Sequence, residues 1–372
     1  MRILVVGGTG PTGPHILQGL LARGHEVTIL HRGVHEPPGL PDVPHIHADP
    51  HFRESLDEAL GRREFDVVFG LYGRLQLLAD FFARRCGHFI SVGGRPVLAG
   101  FLDPQSATPR AMRLCADEQA PLADGNRMRN DKTRAFVQKA IAAEAAVMAH
   151  HRAGDYRAVH FRYPYVYGPR GLGPIEWGII KRVADGRRTI NMPLGGLATS
   201  SRGAAKNVAH CLLLALDNPN AWGEIFHCGD EVQYTLAQWT ELIAAHMGAK
   251  VELVDVPNAL RWTVAHFLLF AGTASELCLF DISKAKRLLG YRDVVAPLDA
   301  LRETVQWYLG NPVDWRGNSM WPDPFDYALE DRVHDELRAL ARKFEAEDPG
   351  RQPAHTYAHP KKASGGRDER GR

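Results

Sequence analysis

Apolar runs recur along the first half of the chain and alternate with segments of helical periodicity. The run RILVV at residues 2–6 lacks polar alternation, as expected of a strand that is buried on both faces of a parallel sheet. Further strands are predicted at residues 26–30, 45–48, 66–71, 88–92, 158–163 and 223–230. Strands that alternate with helices in this way predict an α/β fold with a doubly wound parallel sheet.

Helical segments and a change of rhythm indicate how the chain is organised. Ile16, Leu17 and Leu20 have helical spacing ahead of Gly24, a residue type that often ends a helix. Further helices are predicted at residues 131–154, 207–218, 236–248 and 281–291. The strand–helix alternation weakens after residue 170. The predicted organisation is a sheet domain at 1–170 to which 206–230 return, a smaller mixed lobe at 171–205 and 231–349, and a disordered tail at 350–372.

Composition narrows the class of protein. The 372 residues carry a formal net charge of +2, which gives no general attraction to nucleic acid or to anionic membranes. The five cysteines form no CxxC pair, and their odd number predicts free thiols in a reducing compartment. No signal peptide is expected, and the apolar stretch at 262–274 is shorter than the roughly 20 residues that span a bilayer. We expect a cytoplasmic protein without a membrane span, and we expect residues 262–274 in a core or an apolar pocket.

A glycine-rich segment, GGTGPTGPHIL at residues 7–17, directly follows the first strand. Gly8, Gly10 and Gly13 have the spacing of a dinucleotide-binding turn, which needs a tight turn, close backbone approach to a pyrophosphate and close helix packing. Proline is tolerated in the first turn of the helix that follows, so Pro11 and Pro14 are compatible with this function. The segment predicts a Rossmann fold. The predicted cofactor residues here are Gly7, Gly8, Thr9, Gly10, Pro11, Thr12 and Gly13, joined by Leu71 after the fourth strand.

The end of the second strand indicates which dinucleotide is bound. NAD sites usually place an acid there, but this chain has His31 and Arg32. A guanidinium can pair bidentately with a ribose 2′-phosphate, so the sequence predicts NADP rather than NAD. Asp49, after the third strand, has two open interpretations: it accepts from the adenine amino group, or it caps the turn that follows.

Four more motifs carry a family resemblance: HRG at 31–33, ISVGG at 90–94, VYGP at 166–169 and DISKAKRLLG at 281–290. With the glycine loop, they make the chain resemble the extended short-chain dehydrogenase/reductases, the NAD-dependent epimerase/dehydratase group. Within that group it is most similar to the atypical members related to chloroplast stem-loop-binding proteins. The resemblance covers about residues 1 to 310 and implies a nicotinamide cofactor.

The catalytic set that the resemblance implies is incomplete. Members of the family use a Ser or Thr with a Tyr and a Lys spaced as YxxxK on one long helix. The lysine matches Lys139, which would hold the nicotinamide ribose, but the tyrosine position is Ala135. Glycine, at 93 or 94, stands at the usual serine position, and Ser91 comes slightly early. Nucleotide binding is expected to remain, whereas the standard proton donor is missing.

Three tyrosines are candidates for a relocated proton donor. Tyr72 follows the fourth strand and is the first choice, since its turn could direct it toward the nicotinamide. Tyr163 and Tyr165 lie in RYPYVYGP, and Tyr163 is also a predicted cofactor contact. The alternative for each is a core or rim residue with an apolar ring and a polar end.

These observations leave three classes of function open. The first is an NADP(H)-dependent oxidoreductase or epimerase-like enzyme that acts on a small organic substrate. The second is a non-redox lyase, isomerase or dehydratase that retains its cofactor. The third is a non-catalytic nucleotide- or RNA-binding protein, although the weak net charge and the lack of a basic stripe before the tail disfavour nucleic acid. The expected partner is a small-molecule substrate, and assembly into a homodimer is left open.

Histidines cluster near the third strand. His45 and His47 share one face of a strand, and His51 follows closely. No cysteine or acid completes a ligand set at a standard spacing, so no metal is expected.

Overall fold

The computed structural model describes residues 1–34, 36–37, 39–128, 130–171, 175–264, 277–314, 325–345, 347 and 350. These residues belong to two units, Met1–Phe325 and Asp326–Arg372. Most of the apolar stretch at 262–274, and the predicted tail beyond residue 350, lie outside the described residues.

Seven strands form the central sheet, and every neighbouring pair in it is parallel. They are β1 (Arg2–Val6), β2 (Glu26–His31), β3 (His45–His47), β4 (Phe65–Gly70), β5 (Cys86–Gly94), β6 (Arg157–Tyr163) and β11 (Glu224–His227). Their order is β3–β2–β1–β4–β5–β6–β11. The predicted doubly wound sheet is confirmed, with strand ends that differ from the prediction by a few residues. The order reverses between β1 and β4, which is where such sheets bind ligands.

Helices lie between these strands and after them in the chain. They are α1 (Gly13–Ala22), α2 (Arg53–Leu60), α3 (Leu75–Phe82), α4 (Asp131–Arg152), α5 (Ile175–Ala184), α6 (Ala205–Leu213), α7 (Leu236–His246), α8 (Ser283–Leu289), α9 (Pro297–Gly310) and, in the second unit, α10 (Tyr327–Glu345). Among the described residues, no helix combines the length and apolar character needed to cross a bilayer.

The uninterrupted apolar run of β1 serves two cores at once. Ile3 and Val5 pack in a cluster with residues of α1 and α6 on one face of the sheet. Leu4 and Val6 pack on the other face in a cluster with residues of α2, α3 and α4. Since side chains of a strand alternate between its faces, both faces of β1 must be apolar.

Short parallel strand pairs follow the main sheet: β7 (Tyr165–Tyr167) with β10 (Arg202–Ala204), β8 (Thr189–Pro193) with β12 (Glu252–Val256), and β9 (Thr199–Ser200) with β13 (Leu277–Cys278). They belong to the same unit as the central sheet. The predicted substrate lobe therefore stays a prediction. All five cysteines are free thiols, as predicted.

Candidate cofactor and substrate site

A cavity of about 540 Å³ opens where β1, β2, β4, β5 and β6 end. The predicted residues that line it are Gly7, Gly8, Thr9, Gly10, Pro11, Thr12, Gly13, His31, Arg32, Leu71, Tyr72, Tyr163 and Tyr165. Asp49, Ser91 and Lys139 are absent from the described lining. The structure therefore brings together the predicted cofactor loop and the three tyrosines, but not the serine and lysine of the family's catalytic set.

The glycine loop has the geometry that its sequence requires. Gly7 and Gly8 have φ of +97° and +82°, values that other residues rarely adopt. A Cβ on Gly13 would lie 1.8 Å from the carbonyl oxygen of Gly8, so only glycine fits there. A Cβ on Gly10 would meet nothing within 4 Å, which leaves open space above the loop. Pro14 lies in the first turn of α1, as predicted, and the loop residues fit a dinucleotide phosphate.

Arg32 stands at the end of β2 with its side chain exposed in the cavity. Its guanidinium carbon lies 5.6 Å from the centre of the Tyr72 ring, and the His51 ring lies against the same tyrosine at 5.0 Å. Among the described residues, Arg32 forms no ion pair. This end of the cavity therefore offers an available positive charge and an aromatic ring beside the glycine loop.

Asp49 caps the turn after β3, which was one of its two predicted roles. Its Oδ1 accepts from the backbone N–H of His51 at 3.0 Å and lies 2.7 Å from Nδ1 of the His51 ring. Burial alone would raise the pKa of Asp49, but these hydrogen bonds and the nearby charges of His51 and Arg32 hold it below its usual value. The carboxylate is ionised at neutral pH and is engaged with His51.

The opposite end of the cavity contains a buried cation that the sequence analysis missed. Arg95 follows β5 and is 6% exposed. Its Nη1 donates to the hydroxyl of Ser200 and lies 3.4 Å from the Cys278 sulfur, and the guanidinium lies over the Phe101 ring at 4.9 Å. No carboxylate pairs with Arg95 among the described residues. Burial of a charge without a counter-charge is costly, so this site favours an anionic ligand.

The family's lysine and tyrosine positions lie on α4, away from the described cavity lining. Ala135 and Lys139 are exposed, whereas Val137, Glu144 and Val147 are the buried residues of this helix. Residues four apart share a helix face, so Ala135 and Lys139 are exposed together. The predicted contact of Lys139 with the nicotinamide ribose stays a prediction without support from this geometry.

Ser91 belongs to a buried polar network rather than to the cavity. Its Oγ lies 2.8 Å from Nδ1 of His160, whose Nε2 lies 3.4 Å from Glu144. Glu144 forms a two-point ion pair with Arg162 at 2.7 and 2.9 Å. Desolvation acts to raise the pKa of Glu144, but the bonds from Arg162 and His160 prevail and lower it to about 2. This serine–histidine–glutamate arrangement is fully enclosed, since Ser91 is 0% and His160 1% exposed, so it supports the fold beneath the cavity.

The cavity wall above this network is made by a glycine. A Cβ on Gly93 would lie 2.7 Å from Nε2 of His160, so the ring occupies the space that a side chain at position 93 would need. Gly93 lines the cavity close to the family's serine position. Its lack of a side chain therefore has a packing reason in this chain.

The three candidate tyrosines have different surroundings. Tyr165 donates to Glu176 at 3.0 Å and accepts from the Ile175 backbone at 3.2 Å, so these polar contacts lie on α5. The Tyr163 hydroxyl lies 3.3 Å from Oγ1 of Thr12 in the glycine loop. Burial raises the pKa of both phenols above the ordinary value. Tyr72 lies beside Arg32, and its role as the relocated proton donor stays a prediction.

Comparison with known proteins tests the resemblance. A model of the NAD dependent epimerase/dehydratase family matches residues 3–81, a range that contains the glycine loop, Arg32 and Tyr72. The resemblance predicted from the sequence is confirmed.

Curated relatives extend the similarity along most of the chain. A 3-diazoavenalumate denitrifying reductase from Streptomyces is 27% identical over 78% of this chain and 96% of the relative. A dTDP-glucose 4,6-dehydratase from Actinoplanes is 25% identical over 85% of this chain and 100% of the relative. The chloroplast stem-loop binding protein of 41 kDa b from Arabidopsis thaliana is 24% identical over 63% of this chain and 60% of the relative. The atypical branch named from the motifs is therefore among the relatives.

Solved structures agree on the fold. The UDP-glucose 4-epimerase of Thermotoga maritima has a TM-score of 0.65 at 17% identity and covers 83% of this chain and 99% of its own. Pal from Bacillus thuringiensis has a TM-score of 0.63 at 19% identity, with the same coverage. At these identities the likeness establishes the fold alone. Together with the family match, the comparisons support an enzyme with a nicotinamide cofactor.

Proposed function

We propose that this chain is an NADP(H)-dependent oxidoreductase that acts on a small organic anion. The observation that carries the cofactor preference is Arg32, a cation without an ion pair among the described residues, at the end of β2 beside the glycine loop. In place of the usual acid, it can pair with a 2′-phosphate through two charge-assisted hydrogen bonds. When bound, the reduced nicotinamide supplies a hydride.

The chain's own residues divide the work of binding between two parts of the cavity. The glycine loop would receive the pyrophosphate on backbone groups at the start of α1. Arg32 and the Tyr72 ring would hold the adenosine end. Arg95 would hold a carboxylate or phosphate of the substrate near Gly93 and Gly94, where β5 ends. A buried guanidinium is well suited to this task because its planar donors match an anionic group and water cannot compete strongly.

The positions of the lysine and the tyrosines limit which groups can donate a proton to the substrate. Lys139 is absent from the described cavity lining, and the position four residues before it is Ala135 rather than tyrosine. Tyr165 is engaged with Glu176. The reaction that fits best is one in which the substrate accepts hydride without needing a proton from such a pair. An acceptor that loses a leaving group as it is reduced, such as a diazonium carbon that releases N₂, meets this condition. The Streptomyces relative, named as a denitrifying reductase of a diazo carboxylate, agrees with this substrate class.

The proposal can be tested by following oxidation of NADPH by the purified protein. Candidate acceptors are aryl diazonium carboxylates, each with its methyl ester as the match that lacks the anionic group. Aromatic aldehydes and ketones that carry a carboxylate serve as acceptors whose reduction needs a proton. We expect oxidation of NADPH with the diazonium carboxylates, and weak or no oxidation with their esters or with the aldehydes and ketones. Conversion of nucleotide sugars without net consumption of NADPH would contradict the proposal and favour an epimerase or dehydratase.

A further inference from the structure

The parallel register of β2 and β3 brings three histidines to one face of the sheet. His45 and His47 are two residues apart in β3, so both side chains project on the same side. In the ladder, His31 pairs with His47, and Ile29 pairs with His45. His31 thus joins the same face, although it lies 14 residues before His45. The spacing of the β3 histidines alone could not identify this third member.

Glu36, from the loop between β2 and β3, closes the group. Its Oε1 lies 3.5 Å from Nε2 of His31, 3.5 Å from Nδ1 of His45 and 3.4 Å from Nε2 of His47. Nε2 of His31 and Nδ1 of His45 are 2.9 Å apart, and all four ligand atoms lie within 4.8 Å of one another. In a tetrahedral zinc site with bonds of about 2.0–2.1 Å, ligand atoms are separated by about 3.3–3.4 Å. The three separations between Glu36 and the histidines are therefore close to those of a site that can receive a cation.

We propose that His31, Glu36, His45 and His47 bind one divalent transition metal of the zinc class. Three imidazole nitrogens and one carboxylate are ligands for Zn²⁺ and its neighbours rather than for Ca²⁺ or Mg²⁺, which require oxygen donors. Four protein ligands with no open position are the pattern of a structural site. The cation would fasten the β2–β3 loop to the edge strand of the sheet.

The accessibility of the four side chains is compatible with this role. The His31 side chain is 5% exposed and anchors the group, while His47 is 61% exposed, so a cation can enter from solvent.

Entry of the cation changes one hydrogen bond. Without metal, the Gly33 N–H donates to Nδ1 of His31 at 3.1 Å, so the neutral ring carries its proton on Nε2 and donates to His45. Ligation through Nε2 moves the ring proton to Nδ1, and the Gly33 amide must then turn away. Gly33, with φ of +73° and no side chain, is well placed to allow this adjustment.

The test uses the full chain without an affinity tag, stripped with a chelator and then dialysed against Zn²⁺. We expect one zinc per chain by elemental analysis, and tetrahedral d–d absorption when Co²⁺ replaces it. His47→Ala removes the most exposed ligand with little risk to folding, and the double variant His45→Ala/His47→Ala removes two. Each should lose the stoichiometric metal or bind it about 100-fold more weakly.

The matched control is His51→Ala, because His51 lies close in sequence but its ring is engaged by Asp49. This control should keep one zinc per chain and the cobalt spectrum. Glu36→Gln should keep the fold, measured by its melting temperature, and weaken zinc binding. Zinc that remains in the double variant, or octahedral cobalt spectra in the wild type, would overturn the proposal. The test does not depend on the proposed redox function, since no cofactor or substrate is present.

Discussion

At one end of the cavity, the glycine loop offers backbone groups, and Arg32 is exposed at the end of β2. At the other end, Arg95 is buried and bonded to Ser200 and Cys278, which lie 105 and 183 residues away in sequence. The first end follows from a continuous stretch of chain. The second exists only after distant segments have packed together. The proposed cofactor contacts are thus encoded locally, and the proposed substrate contact depends on the tertiary fold.

The largest effect is expected at the cofactor end. Gly13→Ala should destabilise the protein by about 3 kcal/mol and abolish NADPH binding, because the new Cβ would clash with the Gly8 backbone. The matched control is Gly10→Ala, whose Cβ meets nothing within 4 Å; its unfolding free energy should stay within about 0.5 kcal/mol of wild type. Urea unfolding and NADPH titration measure both effects. A Gly13→Ala protein with normal stability and affinity would show that the loop does not have this geometry.

The support beneath the substrate end gives the next largest effect. The folded-state pKa of Glu144 is about 2, below its ordinary value of 4.5, so its contribution is complete above about pH 4.5 and is lost as pH falls toward 2. Glu144→Gln leaves Arg162 buried without a counter-charge and should cost about 3 kcal/mol at pH 7.

Unfolding curves at several pH values check this expectation. The difference between wild type and Glu144→Gln should shrink below about pH 4.5. Glu303→Gln removes the half-exposed pair with Lys206 and should cost at most about 0.5 kcal/mol. Equal losses of unfolding free energy in the two variants would mean that the buried ion pair stabilises the protein no more than the exposed one.

The sequence predicts which residues line the glycine-loop end of the cavity, and it does so for a physical reason. Three patterns are local in the sequence: the strand periodicity, the glycine spacing and the presence of arginine instead of an acid at position 32. The structural features that they predict lie in the same short stretch of chain. Pro14 in the first turn of α1 was likewise predictable, since proline conflicts with few helical hydrogen bonds there.

The rest of the site depends on which faces are buried and on strand register. A two-residue difference on α4 decides that Val137 is buried and Lys139 exposed, and the motif match could not reveal this. Burial of Arg95 depends on contacts with segments that follow it by more than a hundred residues. The group of three histidines can be recognised only from the pairing of His31 with His47 in the β2–β3 ladder, and the spacing of residues within β3 does not reveal that pairing.

Arg95 tests the substrate end directly. Arg95→Gln should lower kcat/KM for an anionic substrate by about 10–100-fold, because a charged hydrogen bond of about 1.5–3 kcal/mol is lost. Affinity for NADPH should remain at the wild-type value, since Arg95 lies away from the glycine loop and Arg32. Steady-state kinetics and a cofactor titration separate the two. A variant that loses NADPH affinity instead would place Arg95 at the cofactor end.

Substitution of Tyr72 is expected to have the smallest effect. Tyr72→Phe keeps the ring that lies beside Arg32, so turnover and NADPH affinity should change by no more than a few-fold. If Tyr72 were instead the relocated proton donor expected from the sequence, its loss would lower single-turnover rates by about 10²–10⁴-fold. Tyr163→Phe and Tyr165→Phe are the parallel variants for the other two phenols.

The proposal on which the cofactor assignment depends is that Arg32 selects the phosphorylated cofactor. Its most direct test is titration of wild type and Arg32→Gln with NADPH and NADH, followed by nicotinamide fluorescence. Wild type should bind NADPH about 30-fold more tightly than NADH, which corresponds to about 2 kcal/mol from the 2′-phosphate contact. Arg32→Gln should bind the two cofactors equally, with its NADH affinity unchanged. Equal affinities in the wild type, or a preference for NADPH that survives in Arg32→Gln, would contradict the account.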